Sequence, residues 1–193
     1  WLARRPDSTL PPAGSESIDP VAVLGSFNQL AKVREETLRF WAAALQAVPS
    51  SRLVLKDRSV ADEETRERIV RTLIGHGVAP ERISFLGYVG GWEDHMAAYN
   101  RLDVALDTTP WSSATTGFDA LAMGVPLVAI RGGCTAARMS SSILKGLGRP
   151  EWIAETPEQF AQIVAQLCAD LPALRGSREE LRSRMMASPM LDG

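Results

Sequence analysis

Cysteine is scarce in this chain. Cys134 and Cys168 are its two cysteines in 193 residues, far apart and in no metal-ligand spacing. They read as free thiols of a reducing compartment, and the cytoplasm is the expected location. No apolar run approaches the roughly 20 residues a membrane span needs, and no signal peptide is visible. The net charge is only −2 and no basic stripe dominates, so there is no electrostatic case for nucleic acid as a partner. Several familiar motifs are missing as well. No GxGxxG follows the first predicted strand, no GxxxxGK[ST] appears, and no GxSxG marks a nucleophile elbow. No Asp-x-Asp pair is present to hold a metal on a diphosphate, so no metal or cofactor is expected. The opening Trp1-Leu-Ala-Arg-Arg-Pro lacks an initiator Met, which suggests a piece of a longer protein.

A hydrophobic share of 45% suffices for a sizeable core and excludes wholesale disorder. Residues 1–19, rich in Pro, Ser and Gly, read as a linker or arm from a missing upstream domain. Strands are expected at 21–27, 52–56, 83–86, 104–106, 126–130 and 152–154. Helices are expected at 35–48, 62–76, 92–101, from Thr115 or Thr116 to a stop at Gly124, from a Thr135 cap to about 146, and from Thr156-Pro157 to 170. A last helix covers 177–186, so 171–193 reads as a C-terminal helical extension of a domain at 20–170. Short strands alternating with longer helices mean right-handed β-α-β units and a parallel sheet. The expected fold is therefore a Rossmann-like, doubly wound α/β domain.

Ligands of such sheets sit beyond the carboxyl ends of the strands, where the strand order reverses. That rule selects four loops: 27–32, 87–95, 108–119 and 131–135. The third follows the buried run Val104-Ala-Leu106. There Thr115 or Thr116 can cap a helix whose N-terminus offers unpaired N–H groups to a phosphate. Asp119, one turn further in, can reach ribose hydroxyls or can merely offset the helix dipole. Lys32 can meet a phosphate or be an ordinary solvated lysine, and Gln29 can bind a ligand or cap its loop. His95 can stack on a base or donate to a sugar, with Asp94 as the group that fixes its tautomer. His76 fits the last turn of a helix, and Trp41 fits the core. Trp92 and Trp111, at the ligand edge, read as aromatic platforms or lids. A diphosphate bound here would be neutralised by helix termini and Lys32, with no cation.

Gly25-Ser-Phe-Asn-Gln-Leu-Ala-Lys32, Asp94-His-Met, Leu106-Asp-Thr, Thr115-Thr-Gly-Phe-Asp119 and Gly124-Val-Pro together resemble the C-terminal half of the O-GlcNAc transferase/SPINDLY glycosyltransferase family. The resemblance spans roughly Val21 to Pro189. It implies the donor-binding Rossmann-like domain of a GT-B glycosyltransferase, with TPR repeats and an N-terminal catalytic domain upstream. By the same resemblance Gln29 and Lys32 match donor-diphosphate contacts, with Lys32 stabilising the leaving group. His95 matches the histidine beside the nucleobase, Thr115 and Thr116 the phosphate-binding helix start, and Asp119 the ribose-binding aspartate. Two positions depart from the O-GlcNAc transferase pattern. Ala114 stands where a His precedes the threonines, and Trp92 stands where a Lys lies three residues before the base-side His.

The resemblance thus implies an inverting, metal-independent transfer of GlcNAc from UDP-GlcNAc, or of fucose from GDP-fucose, to Ser or Thr of a protein acceptor. The acceptor would be held through the upstream domains, with no nucleic acid or membrane partner. A non-catalytic nucleotide-binding scaffold, and a GT-B enzyme acting on small-molecule glycans, remain alternatives at this stage.

Overall fold

The computed structural model describes residues 10–14 and 20–191. Six parallel strands lie in the order β3-β2-β1-β4-β5-β6. They are β1 (Val23–Ser26), β2 (Arg52–Lys56), β3 (Ile83–Leu86), β4 (Val104–Leu106), β5 (Leu127–Ile130) and β6 (Ile153–Ala154). The order runs outward from β1 in one direction, then jumps across to β4 and runs outward in the other. This is the doubly wound arrangement anticipated above, and its switch point lies between β1 and β4.

Strand side chains alternate between two cores, as a pleated strand buried on both faces requires. Leu24, Leu53, Leu55, Val104, Leu106, Val128 and Ile130 enter one core. There they meet α1 (Glu35–Ala47), α2 (Glu63–Gly75) and α6 (Pro157–Cys168). Phe40 and Phe160 join α1 to α6 edge to face, with ring centres 5.6 Å apart. Trp41 is a core residue, as anticipated, and its indole N–H donates to the Asp107 carbonyl at 2.8 Å. The opposite core takes Ala105, Leu127 and Ala129 and covers them with α3 (Trp92–Ala97), α4 (Thr115–Ala122), α5 (Met139–Gly146) and α8 (Arg178–Met186).

Helix ends follow local chemistry at some positions and tertiary chemistry at others. Asp62 and Thr156 cap α2 and α6 through Thr65 N–H and Gln159 N–H. Gly77 and Gly124, both at positive φ, end α2 and α4. In each case the next residue's N–H returns to a carbonyl five residues back, from Val78 to Leu73 and from Val125 to Ala120. His76 is the C-cap of α2, in keeping with the sequence reading.

Three expected elements are corrected. The segment 92–101 is two pieces, α3 and then a 3-10 turn at Ala98–Arg101. Thr135 opens a 3-10 turn, Thr135–Ala137, and α5 starts only at Met139. The Ser112 hydroxyl, reaching across from the β4 loop, accepts the Met139 N–H at 3.0 Å, so the capping group is not the nearest threonine in sequence. The helix from Pro157 ends at Cys168, and α7 (Leu171–Gly176) follows.

The C-terminal helices fold back over the amino ends of the strands. Asp103, just before β4, accepts both Nε and Nη2 of Arg175 at 2.8 and 2.9 Å. Its Oδ2 also takes the Val23 N–H. Arg178, 3% exposed, donates to the Leu102 carbonyl and to the Gly14 carbonyl. Arg182 donates to the carbonyls of Leu10 and Pro11, so residues 10–14 of the anticipated arm lie against α8. Residues 1–9 and 15–19, the rest of that arm, fall outside the described residues. Among the described residues no helix is long and apolar enough to cross a membrane.

Candidate functional site

The carboxyl ends of β1 and β4 are tied together by buried polar groups. Ser26 Oγ, on the last residue of β1, donates to the Leu106 carbonyl at 2.9 Å. Two residues later Asn28, 2% exposed, donates from Nδ2 to the hydroxyls of Ser26 and Ser113 at 3.1 and 2.8 Å. Its Oδ1 accepts the Thr116 hydroxyl at 2.8 Å. One asparagine therefore joins the loop after β1 to the first turn of α4.

Asp107 holds the other loop. Its Oδ1 accepts Ser113 N–H at 2.7 Å, and its Oδ2 accepts Ile130 N–H and the Ser140 hydroxyl at 2.9 and 2.5 Å. Complete burial pushes this carboxyl above its ordinary value, against the pull of those hydrogen bonds. Thr116 is also reached from α3's side, since the Tyr99 hydroxyl donates to its carbonyl at 3.3 Å. Burial, and then the Asp119 charge, push the Tyr99 hydroxyl well up, so it keeps its proton.

Thr115 and Thr116 do not cap α4, contrary to the sequence reading. They are its first two residues, and the N-cap is Ala114, which has no side-chain acceptor. The Thr116 hydroxyl is spent on Asn28 instead. The cap position offers no side-chain oxygen; the Ala114 carbonyl takes Gly117 N–H at 3.0 Å, and the N–H groups of Thr115 and Thr116 are the ones left for a ligand at the switch crevice. Thr115 is exposed there and Thr116 is half-buried.

Gln29 and Lys32 occupy the 3-10 turn that follows Asn28. Gln29 is exposed at its start and Lys32 is half-buried at its end, with Lys32 N–H bonded to the Gln29 carbonyl. This turn is pinned from β2, since Leu30 N–H donates to Asp57 Oδ2 at 2.9 Å. Burial pushes the Asp57 carboxyl up, but bonds from the Ser59 hydroxyl and from the N–H groups of Leu30, Arg58 and Ser59 outweigh it, and the net shift is downward.

His95 and Asp119 face each other, with His95 Nε2 3.5 Å from Asp119 Oδ2. The other ring nitrogen, Nδ1, lies 2.6 Å from Lys56 Nζ. The groups that meet the two ring nitrogens are thus Lys56 and Asp119, not the neighbouring Asp94 of the sequence reading. The ring also sits edge-on to Tyr99, with centres 5.6 Å apart, and beside Phe27. Trp111 is exposed at the crevice edge, whereas Trp92 packs against the core beneath α3. At the 131–135 loop the Gly132 and Gly133 carbonyls are engaged by Arg138.

Three residues of this arrangement escaped the sequence reading: Asn28, Lys56 and Asp107. The signal for Lys56 was present, because a lysine that closes the apolar run Leu53-Val-Leu55 stands at the ligand edge of a parallel sheet. Asn28 and Asp107 stand at the same edge, after β1 and β4, but their role as ties between loops carried no mark, because their partners are brought to them only by the fold.

A family model described as glycosyl transferase family 41 matches residues 16–193. The chain belongs to that family. A probable UDP-N-acetylglucosamine–peptide N-acetylglucosaminyltransferase SPINDLY of Petunia hybrida is 36% identical over all of this chain, and the match covers 22% of that protein. A UDP-N-acetylglucosamine–peptide N-acetylglucosaminyltransferase of Caenorhabditis elegans is 33% identical over 90% of this chain and 15% of its own length. The chain therefore spans about a fifth of the length of such relatives. Among solved structures, a mutant O-GlcNAc transferase of Thermobaculum terrenum superposes with a TM-score of 0.83 at 39% identity, over 95% of this chain and 36% of that one. The C-terminal domain of a Francisella tularensis group 1 glycosyl transferase shares the fold at 14% identity, with a TM-score of 0.61 over 86% of this chain and 84% of that one. The fold is thus that of a GT-B glycosyltransferase domain.

Proposed function

We propose that this chain is the nucleotide-sugar-binding part of an inverting, metal-independent protein O-glycosyltransferase. The observation that carries the reading is the uncapped N-terminus of α4, tied through Thr116 and Asn28 to the loop that bears Gln29 and Lys32. A helix start without its own cap, beside a lysine on a short turn, suits a diphosphate. His95 lies beside the nucleobase and Asp119 takes the ribose hydroxyls. Relatives named for UDP-N-acetylglucosamine and peptide support UDP-GlcNAc as donor and a Ser or Thr hydroxyl as acceptor; GDP-fucose is the alternative donor.

In the reaction the acceptor oxygen bonds to the anomeric carbon as the bond from that carbon to the diphosphate oxygen breaks. Configuration inverts, and the nucleoside diphosphate leaves with the electron pair. Lys32 and the α4 N–H groups act on the charge that develops on the leaving oxygen, where their stabilisation is greatest in the transition state. The acceptor site and the remaining catalytic groups belong to the rest of the longer protein, including its TPR and N-terminal catalytic domains. This chain alone is expected to bind donor weakly and to transfer nothing.

Calorimetric titration of UDP, GDP, UDP-GlcNAc and GDP-fucose into the full-length protein tests the reading. One nucleotide family should bind, and Lys32→Ala should weaken it by about 1–3 kcal/mol, the usual worth of a charge-assisted contact. Absence of binding by all four, or equal binding by Lys32→Ala, would overturn it.

A further inference from the structure

Lys56 is 5% exposed, at the carboxyl end of β2 and beside the switch crevice. A buried lysine is costly unless something accepts its protons. Its Nζ lies 2.6 Å from His95 Nδ1 and 5.0 Å from the centre of the Phe27 ring. An ammonium has protons to give and no lone pair, so in this contact Nδ1 is the acceptor and carries no hydrogen. The ring proton must then sit on Nε2, on the side that faces Asp119. At 3.5 Å the Nε2–Asp119 contact is too long to consume that N–H fully. With 28% of its side chain exposed, the ring keeps a donor available to a ligand.

We infer that Lys56 is a positioning residue that fixes His95 as the Nε2–H tautomer, and that the site therefore takes nucleobases whose edge at His95 carries a carbonyl oxygen, as O4 of uracil or O6 of guanine, over those with an amino group in that place, as N4 of cytosine or N6 of adenine. The inference rests on the nucleotide-binding reading above and adds to it the residue that enforces the choice of base. A donor fixed on Nε2 pairs with a carbonyl oxygen and opposes the exocyclic amine of cytosine. Desolvation lowers the pKa of Lys56, while the charges of Asp119 and then Asp57 raise it and oppose that fall. The two carboxylates thus help to keep the amine protonated and donating.

The test has two arms on the full chain. Long-range proton–nitrogen NMR reads the tautomer without any ligand. The chain has two histidines, so H76Q assigns the His95 signals. Wild type should show a protonated Nε2 and a bare Nδ1, Lys56→Met should lose that pattern, and Lys56→Arg, which still donates, should retain it. Calorimetry with UDP and CDP forms the second arm. Wild type should prefer UDP by about tenfold, the worth of one such hydrogen bond, and Lys56→Met should reduce the preference to about twofold or less. A protonated Nδ1 in the wild type would overturn the inference even if Lys56→Met fails to fold. So would an unchanged tautomer in Lys56→Met, or equal binding of UDP and CDP by the wild type. Binding of neither nucleotide, with the tautomer as expected, would instead refute the nucleotide-binding reading and leave the tautomer assignment supported.

Discussion

Replacing Asn28 by alanine is the sharpest perturbation of the crevice that leaves its charges untouched. The side chain is buried and makes three hydrogen bonds between neutral groups, to Ser26, Ser113 and Thr116. Each is worth about 1 kcal/mol net, which puts the upper bound at about 3 kcal/mol. Thr116 is half-buried and its hydroxyl can turn to water, whereas Ser113 is buried and cannot. The expected loss is therefore about 2 kcal/mol, or a fall in Tm of about 4–8 °C for a domain of this size. Urea denaturation followed by circular dichroism gives the free energy, and thermal melting gives the midpoint. Asn28→Asp is the informative companion. Its two oxygens can accept the Ser113 and Thr116 hydroxyls, so stability should recover while a new negative charge at the α4 N-terminus weakens nucleotide diphosphate binding. A loss below about 0.5 kcal/mol in Asn28→Ala would refute the claim that this residue fastens the two loops.

Three further predictions follow from packing and charge. Gly124 sits at φ +70°, and a Cβ there would lie 2.3 Å from the Arg178 carbonyl oxygen. Gly124→Ala should thus cost about 3 kcal/mol or more by calorimetric melting, through backbone strain and displacement of α8. The Asp57 carboxyl lies below its ordinary 3.8 in the folded chain. Its stabilisation is complete above that value and is lost as pH falls through the folded one, so Asp57→Asn should flatten the acid limb of stability against pH. Burial pushes the Cys168 thiol up to about 12, while Cys134 is exposed. A thiol reagent at pH 8 should therefore modify one cysteine quickly in the native chain and both in denaturant; two fast thiols in the native chain would contradict the packing of α6.

What could be read from the sequence was whatever depends on near neighbours. The runs at 52–56, 83–86 and 104–106 announced strands with the bounds now observed, because each is a short apolar stretch between turn residues. Asp62 and Thr156 announced helix starts because a cap acts on the N–H three residues on. Thr116 and Thr135 misled for the converse reason. Asn28, 88 positions away, claims the first hydroxyl, and Ser112 supplies the acceptor that α5 requires. Lys56 and His95 are 39 positions apart, and only the adjacency of β2 and β3 makes them partners. The proposed ligand residues were found because the carboxyl-edge rule names loops. How those residues contact one another was legible only in the fold.

The central claim is that a nucleoside diphosphate sits at the carboxyl ends of β1 and β4. Backbone amide NMR, with UDP and GDP titrated into the chain, tests it most directly. The account predicts that the largest shifts fall on 27–32, on His95 and on 114–119, with the Thr115 and Thr116 amides moving as they take up phosphate oxygens. Shifts centred on the 131–138 loop, or on the α7–α8 face at the opposite edge of the sheet, would contradict it.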